Sequence, residues 1–396
     1  MFKYSKSSAL TRTFSVLHIV PALFGAADGI TGGAERYAFE LARHMATEAP
    51  TRLLTFGERE RRERNGNLCV RVIGRPWYVR GQRDNPIAPA LFAEIRNADV
   101  VHCHQRHVLA SSLTALFCRL TRRPVFVTEL GGGGWDLSAY INTDRWYDGH
   151  LHISAYSRHI YRHDKLNSAR MILGGVDTER FSPAEVKRQA TVVYSGRLLP
   201  HKGIDILIKA MPPDAALDVI GRVFAPAYLA DLRRLAIGKR VNFHHDYDDG
   251  KLVEAYRTAA CVVLPSVYKT MYGDETAVPE LLGQTLLEGM ACASPTIATD
   301  VASLPEVVVH GETGFIVPPN DPEALRERIR WLLDHPGEAA SMGAAGRRRV
   351  LAHFTWPAVV LRCLEAYSTA YRGLNQRRTL RGEFSSQPND YRTITQ

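Results

Sequence analysis

Short apolar runs of strand length alternate along the whole chain with longer amphipathic stretches. In the first half, Ser15–Val20, Arg52–Phe56, Leu68–Ile73, Val100–His102 and Val125–Thr128 predict strands. Between them, the stretch opened by Gly32-Gly33 predicts a helix to about Ala46, with Tyr37, Leu41 and Met45 on one face. Ile87–Asn97 and Leu109–Leu120 predict two more. The second half repeats the scheme. Strands are expected at Thr191–Ser195, Leu217–Ile220, Val241–Phe243, Cys261–Leu264 and Thr296–Ala298. Helices are expected at Gly203–Met211, Pro226–Ala236, Gly283–Cys292, Pro322–Leu333 and Gly337–Ala352.

Strand–helix alternation of this kind indicates parallel sheets covered by helices on both faces, the α/β class. Two such series predict two doubly wound, Rossmann-like domains. Their ligands should sit at the carboxyl ends of the strands, facing each other across a cleft. Glycines and a proline from Gly174 to Pro183 interrupt the periodicity and mark the boundary. The expected division is a flexible segment at 1–13, an N-terminal domain at 14–176, a C-terminal domain at 177–356, a helix at 357–374 packing back toward the N-terminal domain, and a polar, disordered tail at 375–396.

Composition narrows the setting. The 396 residues are too many for one ordinary core. No apolar run approaches the ~20 residues that span a bilayer, and Met1–Thr13 lacks an apolar signal core. The six cysteines form no C-x-x-C pair and read as buried thiols, which suits a reducing cytoplasm. The net charge of +9 draws anions: nucleotide diphosphates or anionic lipid headgroups. Peripheral contact with the inner membrane face is therefore part of the expectation. No helix-turn-helix, zinc-finger or aromatic RNA-binding pattern occurs, so no nucleic-acid partner is expected. The run Arg59–Arg64 mixes signs and reads as a solvated loop. His102-Cys103-His104 puts two imidazoles on one side of a strand, but no further ligand is placed to close a tetrahedral metal site; His104 reads as a strand-end sugar or acceptor contact or as structural.

The richest chemistry lies between Pro279 and Cys292. Glu280 and Glu288 stand seven residues apart, with Gly283 between them where a helix begins. Gly283 permits close backbone approach, and the helix N-terminus presents unpaired N–H donors and a positive dipole end to a diphosphate. Thr285 adds a hydroxyl, and a carboxylate is a bidentate acceptor for vicinal hydroxyls.

This stretch resembles the E-x7-E motif of the family-four retaining glycosyltransferases of GT-B fold, the glycosyl transferases group 1. Tyr194–Gly203, Leu173–Pro183, Gly311–Leu325 and Gly32-Gly33-Ala34-Glu35 resemble further elements of that family, from about Phe14 to about Leu374. The resemblance implies transfer of a sugar from a nucleotide diphosphate donor to a glycan, lipid-linked or small-molecule acceptor, as in polysaccharide biosynthesis, with no cofactor and no metal. It implies that Glu280 contacts the transferred sugar and balances charge at the anomeric carbon. Glu288 would hold the ribose, and Arg197 and Lys202 would bind the leaving diphosphate. Leu282, Gly283, Gln284 and Thr285 would cradle the phosphates, and Gly221 would border the base pocket. On the N-terminal side it implies that Gly33 lets the first domain approach the phosphates or the acceptor; Gly32, His104, Gly131 and Gly132 are expected on the same cleft. The family usually carries a histidine where Leu130 stands; the Gly131–Gly134 loop, with Glu129 or Asp136, is the expected replacement. The segment Val267–Val278, longer than the family's, is expected to shape acceptor access. Two other readings use the same donor site: a nucleotide-sugar epimerase or hydrolase, and a non-catalytic nucleotide-sugar-binding protein.

Overall fold

A computed structural model describes residues 14–23, 32–132 and 134–385. The expected segment 1–13, Gly133 and the tail beyond Ser385 lie outside them. The chain forms two compact units: one built from the residues up to Leu151 together with those from Leu361 onward, the other from His152 to Val360.

In the first unit, strands Gly149–His152, Val125–Thr128, Val100–His104, Val16–Leu23, Thr51–Gly57, Leu68–Gly74 and Arg61–Asn65 lie side by side in that order. All neighbours are parallel except the last pair. Alternation along the strands feeds two cores. Leu17, Ile19, Leu54, Phe56, Val101 and Cys103 pack on one face, with helix Leu109–Leu120. Val20, Leu53, Leu68 and Val72 pack on the other, against Ala38 and Ala42 of helix Gly33–Met45. The Arg-rich run is not a loop. Arg61–Asn65 is the antiparallel edge strand, and all five residues are exposed. Its charges keep that free edge from pairing with another chain. Arg71 and Arg52, on the neighbouring strands, both reach Glu94 of helix Ala90–Arg96.

The second unit holds a six-stranded, all-parallel sheet in the order Val241–His244, Ala216–Ile220, Thr191–Ser195, Cys261–Leu264, Thr296–Thr299, Gly314–Val317. Numbered by chain position this is 3-2-1-4-5-6, the doubly wound order. The winding reverses between Thr191–Ser195 and Cys261–Leu264, so the loops leaving those two strands part to opposite faces and open a crevice between them. Helix Gln284–Ala291 packs tightly on this sheet: a Cβ on Gly289 would lie 2.8 Å from Val262 Cγ2.

The last helix starts at Trp356, and its backbone runs on to Ser385, beyond the expected end at Leu374. Tyr367 on this helix is buried in the first unit, where its hydroxyl meets His102 Nδ1 at 2.7 Å. The observed division of the chain at Leu151 precedes the expected one at Val176. The Gly174-Gly175 pair has a packing reason of its own: Cβ atoms there would meet the side chains of Leu282 at 2.3 Å and Trp356 at 2.5 Å. All six cysteines are free thiols, five of them buried.

Candidate active site

The crevice of the second unit gathers most of the residues expected to bind the donor. Strand Thr191–Ser195 runs into Gly196-Arg197 and the short turn Pro200–Lys202, which passes through left-handed Gly203 (φ 66°) into helix Ile204–Ala210. Gly203 is required there. A Cβ would lie 2.0 Å from the carbonyl oxygen of Pro265, just past the end of strand Cys261–Leu264. The backbone N–H of Val267 donates to His201 O at 2.9 Å, so the turns after the two central strands are bolted together.

Lys202 is thereby held at 9% exposure with its ammonium on Glu280 Oε1. The same carboxylate oxygen accepts from Ser266 Oγ at 2.9 Å. Residues 78 positions apart thus form an ion pair at the switch point, each side chain about one-tenth exposed. The sequence reading gave these two residues separate tasks; their pairing was not legible in it. His201 beside them is pushed down to about 4 by burial and by the Lys202 ammonium, so it is neutral at physiological pH. Arg197 is exposed, with its guanidinium 5.7 Å from the centroid of the Phe224 ring. Its carbonyl accepts from the buried Tyr194 hydroxyl at 3.0 Å, which fixes the loop.

Gly283 (φ 78°) ends the approach to helix Gln284–Ala291 in the left-handed region, and no side chain caps that N-terminus. Leu282 is buried. Gln284 Nε2 donates to Gly175 O at 3.2 Å. The Thr285 hydroxyl donates to Ser195 O at 2.7 Å. A hydroxyl has one proton, so in this arrangement Thr285 ties the helix to the strand end and is not the phosphate donor expected of it. Glu288 lies under the helix at 5% exposure, where Tyr256 OH donates to its Oε2 at 3.1 Å. Gly221 (φ 152°) has a structural role: a Cβ would lie 1.9 Å from Gly196 O, so glycine lets the two strand ends meet.

The expected residues of the first unit fall into two groups. Gly32 is the extended N-cap of helix Gly33–Met45, and among the described residues a Cβ on Gly33 would meet nothing within 4 Å. Gly131 (φ 80°) and Gly132 (φ 102°) follow strand Val125–Thr128, and Gln105 Nε2 donates to Gly131 O at 3.0 Å. Glu129 accepts from the N–H groups of Arg106 at 2.8 Å and Gly131 at 3.2 Å. Asp136 accepts from Ser112 at 2.7 Å and from Ser138 at 2.5 Å. Both acids are committed to holding loops. Leu130 packs on the apolar cluster beneath helix Gly33–Met45, which gives an apolar residue its place there.

His104 is buried rather than presented at the strand end, and its Nε2 lies 2.8 Å from His18 Nδ1. At that distance the two nitrogens share one proton, and with His102 they form a cluster of three imidazoles whose ring nitrogens lie within 4.8 Å of one another. His102 spends both nitrogens, on Thr128 Oγ1 at 2.8 Å and on Tyr367. Burial holds all three imidazoles neutral, His18 with a pKa of about 3. The long segment Val267–Val278 folds as a turn in which Thr270 N donates to Asp274 O at 2.8 Å and Thr276 N to Tyr268 O at 2.9 Å.

A lysine–glutamate pair and an uncapped helix N-terminus thus stand together at the switch point of a doubly wound sheet, where sheets of this order bind their ligands. The comparisons with known proteins give the family. The model of the glycosyl transferases group 1 matches residues 175–349, and that of Glycosyltransferase Family 4 matches residues 31–180. The chain belongs to this family of GT-B-fold glycosyltransferases. It is 35% identical over 203 residues to the GDP-mannose-dependent monoacylated alpha-(1-6)-phosphatidylinositol monomannoside mannosyltransferase of Corynebacterium glutamicum, a match covering 46% of this chain and 51% of that protein. It is 28% identical over 318 residues to the alpha-maltose-1-phosphate synthase of Mycobacterium tuberculosis, covering 68% and 79%. The chain spans about half the length of the mannosyltransferase relative. Among solved structures it resembles sucrose-phosphate synthase from Thermosynechococcus elongatus (TM-score 0.69, 21% identity, covering 91% of this chain and 100% of that one). It also resembles Anabaena HepE in complex with UDP and glucose (TM-score 0.69, 18% identity, covering 90% and 100%). Among the described residues no helix is long and apolar enough to cross a membrane.

Proposed function

We propose that this chain is a retaining, metal-independent glycosyltransferase that moves a sugar from a nucleoside diphosphate to a glycan, lipid-linked or small-molecule acceptor. The observation that carries the reading is the buried Lys202–Glu280 pair at the switch point, beside the uncapped helix at Gly283. Breaking the donor's glycosidic bond adds about one negative charge to the diphosphate. Lys202, Arg197 and the backbone donors at Leu282, Gly283 and Gln284 meet that charge. Each such donor or cation is typically worth about 3 kcal/mol in the transition state, or roughly a hundredfold in rate.

The pair has a second consequence. While the donor is absent, Glu280 neutralises Lys202 and makes the buried ammonium affordable. When the diphosphate arrives, Lys202 exchanges a carboxylate for phosphate oxygens, and Glu280 is released toward the sugar hydroxyls and the developing positive charge at the anomeric carbon. The acceptor enters on the face the diphosphate leaves, and a phosphate oxygen takes its proton, so the protein supplies no general base. A carboxylate accepts several hydrogen bonds, so Glu288 can hold the ribose while Tyr256 still donates to its Oε2. The relatives named as acting on phosphatidylinositol mannosides, together with the net charge of +9, favour an acceptor carried at a membrane surface. The competing reading, a hydrolase or epimerase of the same fold, predicts turnover of donor without acceptor.

The test is a panel of nucleotide sugars with acceptor candidates in EDTA, with products read by NMR. The expected product keeps the donor's anomeric configuration. An inverted product, or activity that returns only with Mn²⁺, contradicts the proposal.

A further inference from the structure

A second surface, on the first unit, is unexplained by sugar transfer. Residues 75–87 form a small arm in which Trp77 pairs with Ile87 and Tyr78 with Pro86. Trp77 is 68% exposed. The arm is knitted to the loop that follows Gly131 and Gly132. Gln82 Oε1 accepts from Trp135 N at 3.0 Å, and Asn85 Nδ2 donates to Trp135 O at 2.6 Å. Trp135 then stacks under the Arg80 guanidinium at 4.4 Å and meets the Tyr140 ring at 6.0 Å. Tyr140 is 70% exposed, and Ile141 beside it is 49% exposed. Arg80 and Arg83 are exposed on the same arm, with Asp84 the one acid between Arg75 and Ile87.

A tryptophan, a tyrosine and an isoleucine stand exposed on two segments tied side by side, and exposed apolar side chains gathered in this way mark an interaction surface. Its composition selects the partner. Trp and Tyr are the side chains that settle at the headgroup level of a bilayer. Arginines flank them, able to reach lipid phosphates while their stems lie on apolar surface. A flat platform for a neutral sugar would leave the Trp135 face bare, whereas here a guanidinium covers it. We infer that the arm at 75–87 and the loop at 135–141 dock the first unit on an anionic membrane surface, with Trp77, Tyr140 and Ile141 entering the interface and Arg80 and Arg83 on lipid phosphates. The loop follows the carboxyl end of strand Val125–Thr128, so this docking brings the ligand end of the first sheet to the bilayer.

The inference does not depend on the donor reading, and flotation with vesicles tests it. The full chain is mixed with vesicles of phosphatidylcholine alone or of phosphatidylcholine with phosphatidylglycerol. It is expected to float with the anionic vesicles and to detach as salt rises. Replacing Trp77, Tyr140 and Ile141 together by serine should lower binding at least about tenfold. The double substitution Arg80→Ala/Arg83→Ala should lower it roughly twenty-five-fold on anionic vesicles, at about fivefold per charge. Stabilisation by nucleoside diphosphate should match the wild type in each variant, which shows the fold intact and keeps this test separate from that of the donor site. Wild-type protein that stays unbound with anionic vesicles, or variants that float as well as it does, overturns the inference. A soluble oligosaccharide that binds the wild type but not the serine variant, with no vesicle binding by either, overturns it in favour of a glycan platform.

Discussion

Glu280 and Lys202 illustrate what a sequence conveys about single residues. Each was identifiable: Glu280 from its spacing to Glu288 around Gly283, Lys202 from its place after a strand. Their contact was not, because it depends on two turns 78 residues apart being locked by Gly203 against Pro265. Thr285 and Glu288 were also singled out, but their partners, Ser195 and Tyr256, come from other strands and helices, and no local pattern names them. Glu280→Gln keeps the size and the Ser266 hydrogen bond but removes the charge. It should lower kcat about a hundredfold or more while changing donor affinity far less. Steady-state kinetics decide this, and an unchanged kcat would remove Glu280 from catalysis.

At the scale of elements, the long periodic segments were legible. Leu109–Leu120, Val125–Thr128, Thr191–Ser195 and Cys261–Leu264 have the bounds their patterns predict. The edge strand Arg61–Asn65 was not legible, because a strand exposed on both faces carries no alternation. Helix Asp249–Thr258 was missed as well; its first turn, Asp249-Gly250-Lys251, is polar and opens on a helix-weak glycine. Glycines separate the elements that carry function from those that carry packing. Gly203→Ala should cost at least about 2 kcal/mol, since the new Cβ meets both a left-handed backbone and the Pro265 carbonyl. Gly33→Ala should instead stabilise helix Gly33–Met45 by roughly 0.5–1 kcal/mol, because no described residue opposes its Cβ. If that side receives ligand, the same variant loses transfer activity. Thermal unfolding and initial rates on the two variants make the comparison, and a Gly33→Ala protein with full activity would take Gly33 out of the ligand surface.

For the whole molecule, the two-sheet architecture followed from strand–helix alternation, but the extent of the last helix did not. Its residues beyond Leu374 are polar, and polarity alone reads as tail. The helix is anchored by its buried Val359, Val360 and Cys363 and by Tyr367, which reaches His102. The buried His18, His102 and His104 make stability pH-dependent. In the folded state burial keeps them neutral, whereas in the unfolded chain they bind protons below about pH 6.5. Stability is therefore complete above that pH. It falls as pH drops toward the His18 value of about 3, by about 1.4 kcal/mol per pH unit for each imidazole that stays neutral. Urea unfolding between pH 7 and pH 5 should show this slope, and a His18→Gln/His104→Gln protein should show a shallower one. Equal slopes would mean that other groups set the acid limit.

The central claim is that cations and backbone donors of the second unit, rather than a metal, receive the diphosphate. Calorimetric titration of nucleoside diphosphates in EDTA, into wild-type protein and Lys202→Ala, tests it most directly. The account predicts one saturable site in the wild type and affinity lowered about a hundredfold in the variant. Undiminished binding to Lys202→Ala, or wild-type binding that requires added Mg²⁺ or Mn²⁺, would contradict it.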